Sequence, residues 1–597
     1  MESIKQQYLD FINSYQVQKD LLEKKIRWIS SLRLLSFILL VAMVWRAFST
    51  SNAYYWFGFV LVLILFLFLL KFHGRLFSKK SFVERLITIN REEIKALLGD
   101  YSSFAKGEEY EIPYHDFSLD LDVFGNASLF QMADRTSSLS GSQLLAAWFN
   151  NPLLEPEQIL RRQKAVVELA SLIKFRQFFR ARGINVNEVK EDFLFIKKWK
   201  EQKNLFYPKR IFHILIYLFP LVNALSIGLY AFDIIEGKIL AAILFLSLLL
   251  VGLYTKKINK IHQNLSKRTA LLRKYILMLQ LVEKQDFSAP LLRDIKANIH
   301  IDGVSASGAI KELSKILSAL DTRLNVFAGI LMNALFIWDI KQLWRMEKWK
   351  TQYAKALELW ISSLAQIDAL SSLANLSCNN PSWVLPEISA KPYWYFSEAR
   401  HPLMDREKCV PNDFIVKGAP HIKVITGANM AGKSTYLRTI GSNLLLAMIG
   451  SVVNAKTMTF FPIQIVSSLR TTDSLLNNES YFYAEIKRLQ MIVQRLKEGE
   501  RLFVLLDEIL KGTNSKDKEE GSKALLKQLI HLQTVGIIAT HDLSLGKLSE
   551  EFGQWIENQC FEVDIVNDQL SFDYKIRKGI AQNMNASFLL HKMGIVN

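Results

Sequence analysis

At 597 residues and 68.7 kDa the chain exceeds the size at which one hydrophobic core stops growing, so a single compact module is excluded. Half of the residues are apolar and the mean hydropathy is +0.12, which excludes disorder as the main state and points to a few very apolar segments. Three cysteines, Cys378, Cys409 and Cys560, cannot build a disulfide framework, and no Cys/His cluster has zinc-ligand spacing, so a reducing, cytosolic setting is expected. The formal charge of +17 suggests an anionic partner, and its placement says which kind. Residues 24 to 33, 71 to 80, 197 to 210 and 256 to 268 hold 19 Lys and Arg against one acid, Glu201, and the rest of the chain is near neutrality.

Those basic windows flank apolar runs that come in pairs. Ala53 to Leu70 is 18 uncharged residues, long enough as a helix to nearly match a hydrocarbon core of about 30 Å. Trp28 to Trp45 reaches a similar length if Arg33 snorkels to the interface. Together they predict a first transmembrane hairpin within residues 1 to 80, and the helical core is expected to begin at 81. Ile211 to Phe232, 22 residues, and Ile239 to Thr255, 17 residues, predict a second hairpin over 211 to 255. Of Lys and Arg the short connections hold only Arg46 and Lys238, whereas the outer flanks carry the basic clusters, so both turns are expected outside and everything else in the cytoplasm. No cleavable signal peptide is expected at the start. The predicted localisation is the cytoplasmic (inner) membrane, with four spans.

A fifth apolar run, Leu324 to Trp338, is 15 residues long and predicts a buried core helix. From Met346 the positions Trp349, Tyr353, Leu357, Trp360, Leu364, Ile367 and Leu370 recur at three- and four-residue spacing, which predicts a strut helix of roughly seven turns. The helical core is expected over 81 to 210 and 256 to 390. Around residue 421 the texture changes to short β-rich runs followed by helices, HIKVITG, RLFVLLDE and TVGIIATH, the mark of a parallel sheet in an α/β domain, whose boundary is expected near 390 so that it spans 391 to 597.

The strand HIKVIT runs into Gly427-Ala428-Asn429-Met430-Ala431-Gly432-Lys433-Ser434, which fits G-x-x-x-x-G-K-[ST] and precedes a helical stretch from Thr435. Glycines let backbone N–H groups and the helix N-terminus face a β-phosphate; Lys433 adds charge at the β/γ oxygens and Ser434 can ligate Mg²⁺. About eighty residues on, Arg501-Leu-Phe-Val-Leu-Leu-Asp507-Glu508 reads as a buried strand ending in two carboxylates, Asp507 reaching Mg²⁺ through water and Glu508 polarising the attacking water. The strand Gly536 to Thr540 ends in His541, placed to contact the γ-phosphate or that water. Together these three elements specify ATP hydrolysis with Mg²⁺. Alone, His541 would more often be a solvated or core histidine.

These motifs resemble those of the MutS family, the ATPases of DNA mismatch repair and their relatives. TGANMAGKSTYLRTIG is similar to the family's P-loop, LLDEILKGTNSKD to its Walker B and D-loop segment, and ATHDLSLGKL to its histidine switch. NESYFYAEI, residues 478 to 486, resembles the signature loop whose serine, here Ser480, contacts the ATP of the opposite subunit. The resemblance implies a homodimer with composite ATP sites, with Asn514 and Ser515 at that interface. Upstream, residues 122 to 166 resemble the opening of the family's helical core, and ARHPLM, 399 to 404, its entry into the ATPase domain. The expected fold class is thus an α/β P-loop NTPase of the ABC/MutS type behind a mostly α-helical core and lever carrying two transmembrane hairpins.

Departures from the family pattern shape the functional expectation. The mismatch-reading domain with its Phe-x-Glu wedge is expected to be missing, because the space before residue 122 holds a hairpin and about 40 further residues; Phe82-Val83-Glu84 has the letters but sits beside a basic flank. Residues 256 to 340 are short for remaining core plus a DNA clamp, and Cys409 stands where the adenine-stacking aromatic of the family is expected. The family's C-terminal dimerisation segment is expected to be curtailed. Two functions follow: a membrane-anchored ATPase coupled to binding mismatched or otherwise unusual DNA, or one that uses dimer closure to act on its hairpins or a protein partner without DNA. Phosphate neutralisation supplies most nonspecific DNA affinity, and outside the membrane flanks the charge is near zero, which weighs against the DNA reading; the family resemblance keeps DNA first as substrate class, without mismatch recognition, whose reading domain is expected to be missing. Lys311, Lys315 and Arg323 have the spacing of a solvated helix face.

Overall fold

The computed structural model describes residues 2–582 other than 51, 187, 267, 302, 406, 471–480, 511–513 and 567–568. The chain divides into two compact units, one made of Met1–Arg135, Leu145–Leu172 and Leu370–Asn597, the other of Thr136–Leu144 and Ile173–Ala369.

In the first unit, leucine-rich sequence with no proline builds two long helices, α1 (Glu2–Thr50, 49 residues) and α2 (Ala53–Leu97, 45 residues), packed as a hairpin. The Asn52 side chain caps the tight turn by accepting the Tyr54 N–H at 3.1 Å. Both helices are long and apolar enough to cross a membrane, and few side chains of their apolar windows are buried. Each helix continues far past its apolar run. There the facing surfaces turn polar, and Lys80 meets Glu23 at 3.0 Å while Lys19 meets Glu84 at 3.5 Å. Further along, the Arg135 Nε donates to Glu93 at 2.7 Å, Asn379 donates to the other Glu93 oxygen at 2.8 Å, and the Tyr8 hydroxyl donates to Asn379 at 2.7 Å. The Arg135 guanidinium also lies 3.5 Å over the Phe104 ring. This buried network holds both hairpin helices to the unit that carries the P-loop.

The second unit contains α3 (Arg210–Ala231) and α4 (Gly237–Ser266), again of membrane-crossing length and hydropathy. Buried Asn223 of α3 donates to Ser247 of α4 at 3.1 Å and to the carbonyls of Ala334 and Leu335, both at 2.9 Å. Those carbonyls end α5 (Val326–Phe336), which packs against α3 and α4. The apolar run expected to form a buried core helix is therefore placed differently. Phe327 is 88 % exposed, and Leu324, Val326, Ile330 and Leu331 are exposed with it, because α5 lies against the outside of an apolar hairpin and not inside a soluble core. At Ile337, φ 41°, the chain bends by 77° into α6 (Trp338–Asn379). This is the predicted strut, but 42 residues long, about 63 Å. Trp349, Leu357, Trp360, Leu364 and Ile367 are buried along it. Its first part, to Ala369, belongs to the second unit and the remainder to the first. Between α4 and α5 lie three amphipathic helices, Thr269–Lys284, Pro290–Asn298 and Ala306–Leu320. Lys311 and Lys315 are exposed, as their spacing predicts, but Arg323 is mostly buried with its guanidinium 3.5 Å from Asp339.

Back in the first unit, six strands form the nucleotide-type sheet: β1 (His421–Gly427), β2 (Gln464–Ser468), β3 (Leu502–Asp507), β4 (Val535–Thr540), β5 (Ile556–Phe561) and β6 (Ile576–Lys578). Their order is β6-β5-β1-β4-β3-β2, parallel except for β6 at the edge. The near-continuous burial of β1, β3 and β4 is what a parallel sheet covered on both faces demands. A second sheet, mixed and four-stranded, joins Glu387–Ile388, Tyr393–Ala399, Asn412–Lys417 and Thr457–Phe460. The textural reading of the sequence did not contain it.

Candidate functional site

Strand β1 ends at Gly427, where φ is 150° and a Cβ would lie 2.7 Å from the Phe561 carbonyl oxygen of β5. Only glycine lets the backbone pass there. The loop through Ala428, Asn429, Met430 and Ala431 then turns at Gly432, φ 106°, into α7 (Lys433–Met448). Met430 projects at 84 % exposure with φ 66°, while Ala431 is buried. Helix α7 is anchored by Tyr436, Leu437, Ile440 and Leu444, so its N-terminus is held rigidly against the loop.

The Lys433 ammonium is buried and donates to the carbonyls of Gly427 at 2.8 Å and Ala428 at 2.9 Å, with His541 Nδ1 at 3.4 Å. The Ser434 hydroxyl donates to Asp507, the last residue of β3. Thr435, next on α7, accepts the Thr439 hydroxyl with its carbonyl at 2.7 Å. Glu508 follows with φ 51°, a left-handed conformation that costs a non-glycine residue about 1 kcal/mol and is fixed by its N–H donating to Ala539 at 2.9 Å. That backbone turn aims the Glu508 carboxylate at His541 Nε2, with which it pairs; His541 Nδ1 lies 2.9 Å from the Gly427 carbonyl. The structure thus gathers Gly427, Lys433, Ser434, Asp507, Glu508 and His541 around one loop, from three adjacent strands. Ser480 lies outside the described residues. Asn514 caps α9 (Ser515–His531) by accepting the Asp517 N–H at 2.9 Å and is exposed. The signature segment continues into α8 (Tyr481–Lys497), whose buried Glu485 accepts the Leu510 N–H at 2.5 Å, tying it to the segment after Glu508.

Beside the loop is a cavity of about 490 Å³, whose walls include Met404, Cys409, Asn412, Thr439, Phe561 and Tyr574. Cys409 is buried, its sulfur accepting the His401 N–H at 3.3 Å, and burial pushes its thiol up from the usual range. Aromatic surface in this cavity comes instead from Tyr436, Phe561 and Tyr574; the Tyr574 ring lies 3.3 Å from where a Gly432 Cβ would be and stacks with Phe572. Asn412 fixes that segment, donating to the Tyr574 carbonyl at 2.9 Å and accepting the Ile576 N–H at 2.9 Å. Sequence reading missed Tyr574 and Asn412, because 162 residues separate them and no fixed spacing links either to the loop. The only signal was an aromatic just before a short basic strand.

These residues fit a nucleoside triphosphate with Mg²⁺. The close approach at Gly427 opens a backbone cradle at the N-terminus of a 16-residue helix, Lys433 supplies charge, and Ser434 with Asp507 presents hard oxygen ligands side by side.

Residues 423–591 match MutS domain V and residues 115–191 match MutS domain III. The chain is 30% identical over 237 residues to mouse MutS protein homolog 4, covering 37% of this chain and 24% of that protein. It is 32% identical over 230 residues to the DNA mismatch repair protein MutS of Acetivibrio thermocellus, covering 37% and 26%. Against the DNA mismatch repair protein MutS of Thermotoga petrophila the identity is 32% over 222 residues, covering 36% and 27%. The matched stretch is about a quarter of the length of each relative. With the phosphate loop, its acidic partners and the opening of the helical core all matched, the chain carries domain III and domain V of the MutS family.

Proposed function

We propose that this protein is a membrane-anchored ATPase that hydrolyses ATP in a homodimer and couples the cycle to binding DNA of unusual structure. The observation that carries the ATPase reading is the convergence of Lys433, Ser434, Asp507, Glu508 and His541 on one loop. In this reading Lys433 and the α7 N-terminus hold the phosphates, and Ser434 and Asp507 are the residues that would hold Mg²⁺, which would supply neutralisation of phosphate charge. Glu508 orients and polarises the attacking water, and His541 fixes the Glu508 carboxylate. Ser480 reaches the nucleotide of the second subunit. Tyr574 offers its face to the base, which supplies the stacking that Cys409 cannot.

Membrane anchoring is supported by four helices of spanning length and hydropathy, by the exposed apolar face of α5, and by the charge asymmetry of the flanks. DNA as substrate class comes from the relatives, two of which are DNA mismatch repair proteins. A second reading, action on the hairpins or on a protein partner without DNA, is favoured by the segment between α4 and α5. It holds three packed amphipathic helices, and Arg323, one of its basic candidates, is engaged by Asp339. The deciding experiment measures ATP turnover and salt-dependent binding of the detergent-solubilised chain with homoduplex, mismatched and four-way DNA. Binding at low salt together with altered turnover supports the DNA reading; absence of both leaves the DNA-free ATPase.

A further inference from the structure

The basic flanks of α3 and α4 do more than orient the hairpin. Just before α3, the segment Gln202 to Leu205 and the cytoplasmic end of α4 enclose, with α6, a cavity of about 340 Å³. Its floor is apolar, from Trp199, Leu205, Ile261 and Met346, and its rim carries Lys203, Lys257 and Lys260. One acid, Glu347, lines it, and both its oxygens are committed: they accept the N–H groups of Leu205, Phe206 and Tyr207, each at 2.8 Å. Lys350, also in the wall, spends its ammonium on the Gln202 carbonyl at 2.7 Å. Nearby cations find acids, Lys200 with Glu358 at 2.8 Å and Arg268 with Asp192 at 3.1 Å. Among the described residues no carboxylate pairs with Lys203, Lys257 or Lys260, and all three are exposed.

We propose that this cavity binds the phosphate headgroup of an anionic phospholipid, with Lys203, Lys257 and Lys260 on the phosphate and the Trp199, Ile261 and Met346 floor against the glycerol and first acyl carbons. Three uncompensated ammonium groups on one rim recognise a phosphate anion. An apolar floor directly beneath them suits an amphiphile better than inorganic phosphate, and the site lies where a span enters the headgroup layer. The volume admits a headgroup and is too small for a duplex. The proposal rests on the membrane reading given above.

The test uses the full chain purified in a neutral detergent. Phosphatidylglycerol is titrated and bound lipid counted by native mass spectrometry, for the native protein, for Lys203→Gln/Lys257→Gln/Lys260→Gln, and for a control set in the other hairpin flank, Lys24→Gln/Lys25→Gln/Lys79→Gln. The expected result is one tightly held lipid that the first triple variant loses by about tenfold or more in affinity, while the control set keeps it. Unchanged ATP turnover and melting temperature show that the triple variant is folded. Equal lipid affinity in native protein and triple variant overturns the proposal. Competition by soluble glycerol phosphate at comparable concentration keeps the phosphate site but assigns it to a soluble ligand, and competition by a short DNA duplex overturns it in favour of a nucleic-acid surface. Vesicle partitioning run alongside separates the two levels: failure of the native chain to insert sinks the membrane reading, whereas insertion without lipid discrimination sinks only this site.

Discussion

In the proposed ATPase cycle Lys433 binds phosphate and Glu508 activates water, and their substitutions should part accordingly. Lys433→Ala removes the buried ammonium that faces the loop, and both nucleotide affinity and turnover should fall, turnover by a hundredfold or more, about 3 kcal/mol of barrier. Glu508→Gln keeps the shape but not the base, so ATP should stay bound, hydrolysis should stop, and the closed dimer should accumulate in crosslinking or light scattering. Gly427→Ala should resemble the lysine variant for a different reason, since its Cβ would meet a backbone carbonyl at 2.7 Å. A pH effect also belongs at this scale. Burial pushes His401 down to about 4, whereas in the unfolded chain it titrates near 6.5. Between these values the unfolded state binds the proton and the folded state does not, so stability rises with pH in that window and is lost as pH falls from 6.5 toward 4. The loss should amount to roughly 3 kcal/mol, visible as a melting temperature that drops in mild acid, and His401→Gln should flatten the profile.

Among elements, the N-terminal hairpin shows how an apolar helix pair is fastened to the segments at Arg135 and Asn379 of its own compact unit. Its hold is polar and buried, with Arg135 and Glu93 side chains 5% and 3% exposed. Glu93→Gln leaves a buried guanidinium without its counter-charge, and about 3–5 kcal/mol of stability should be lost by thermal unfolding. In the second hairpin, Asn223 satisfies two carbonyls at the end of α5 where the chain bends at Ile337, so Asn223→Leu should loosen that bend and raise proteolytic cleavage between α5 and α6. The apolar run that forms α5 reads identically in sequence whether it faces a core or faces lipid. Periodicity cannot separate these, because both environments ask only for apolar side chains. The sheet shows the opposite case. Lys423 sits fully buried in the central strand β1, and only the parallel register that sets it beside Glu557 of β5, with Nζ 2.7 Å from the carboxylate, explains a lysine there.

For the whole molecule, the proposed topology places a reporter fused after Lys80 in the cytoplasm and reporters inserted at Asn52 or Glu236 on the other side, as read by an enzyme active in only one compartment. The P-loop, the paired carboxylates Asp507 and Glu508, and His541 were all legible from the linear chain, because phosphate chemistry demands particular residue types at the ends of buried strands. So were the apolar runs, which the structure folds into four helices long and apolar enough to cross a membrane. Only the tertiary structure decided that Tyr574 and Asn412 close the nucleotide cavity, that the strut runs to 42 residues, that Arg323 is paired and that Lys203, Lys257 and Lys260 share one rim. Local sequence sets what each segment prefers to be. Which segments meet depends on strand register and helix packing, interactions whose partners stand at no fixed spacing along the chain.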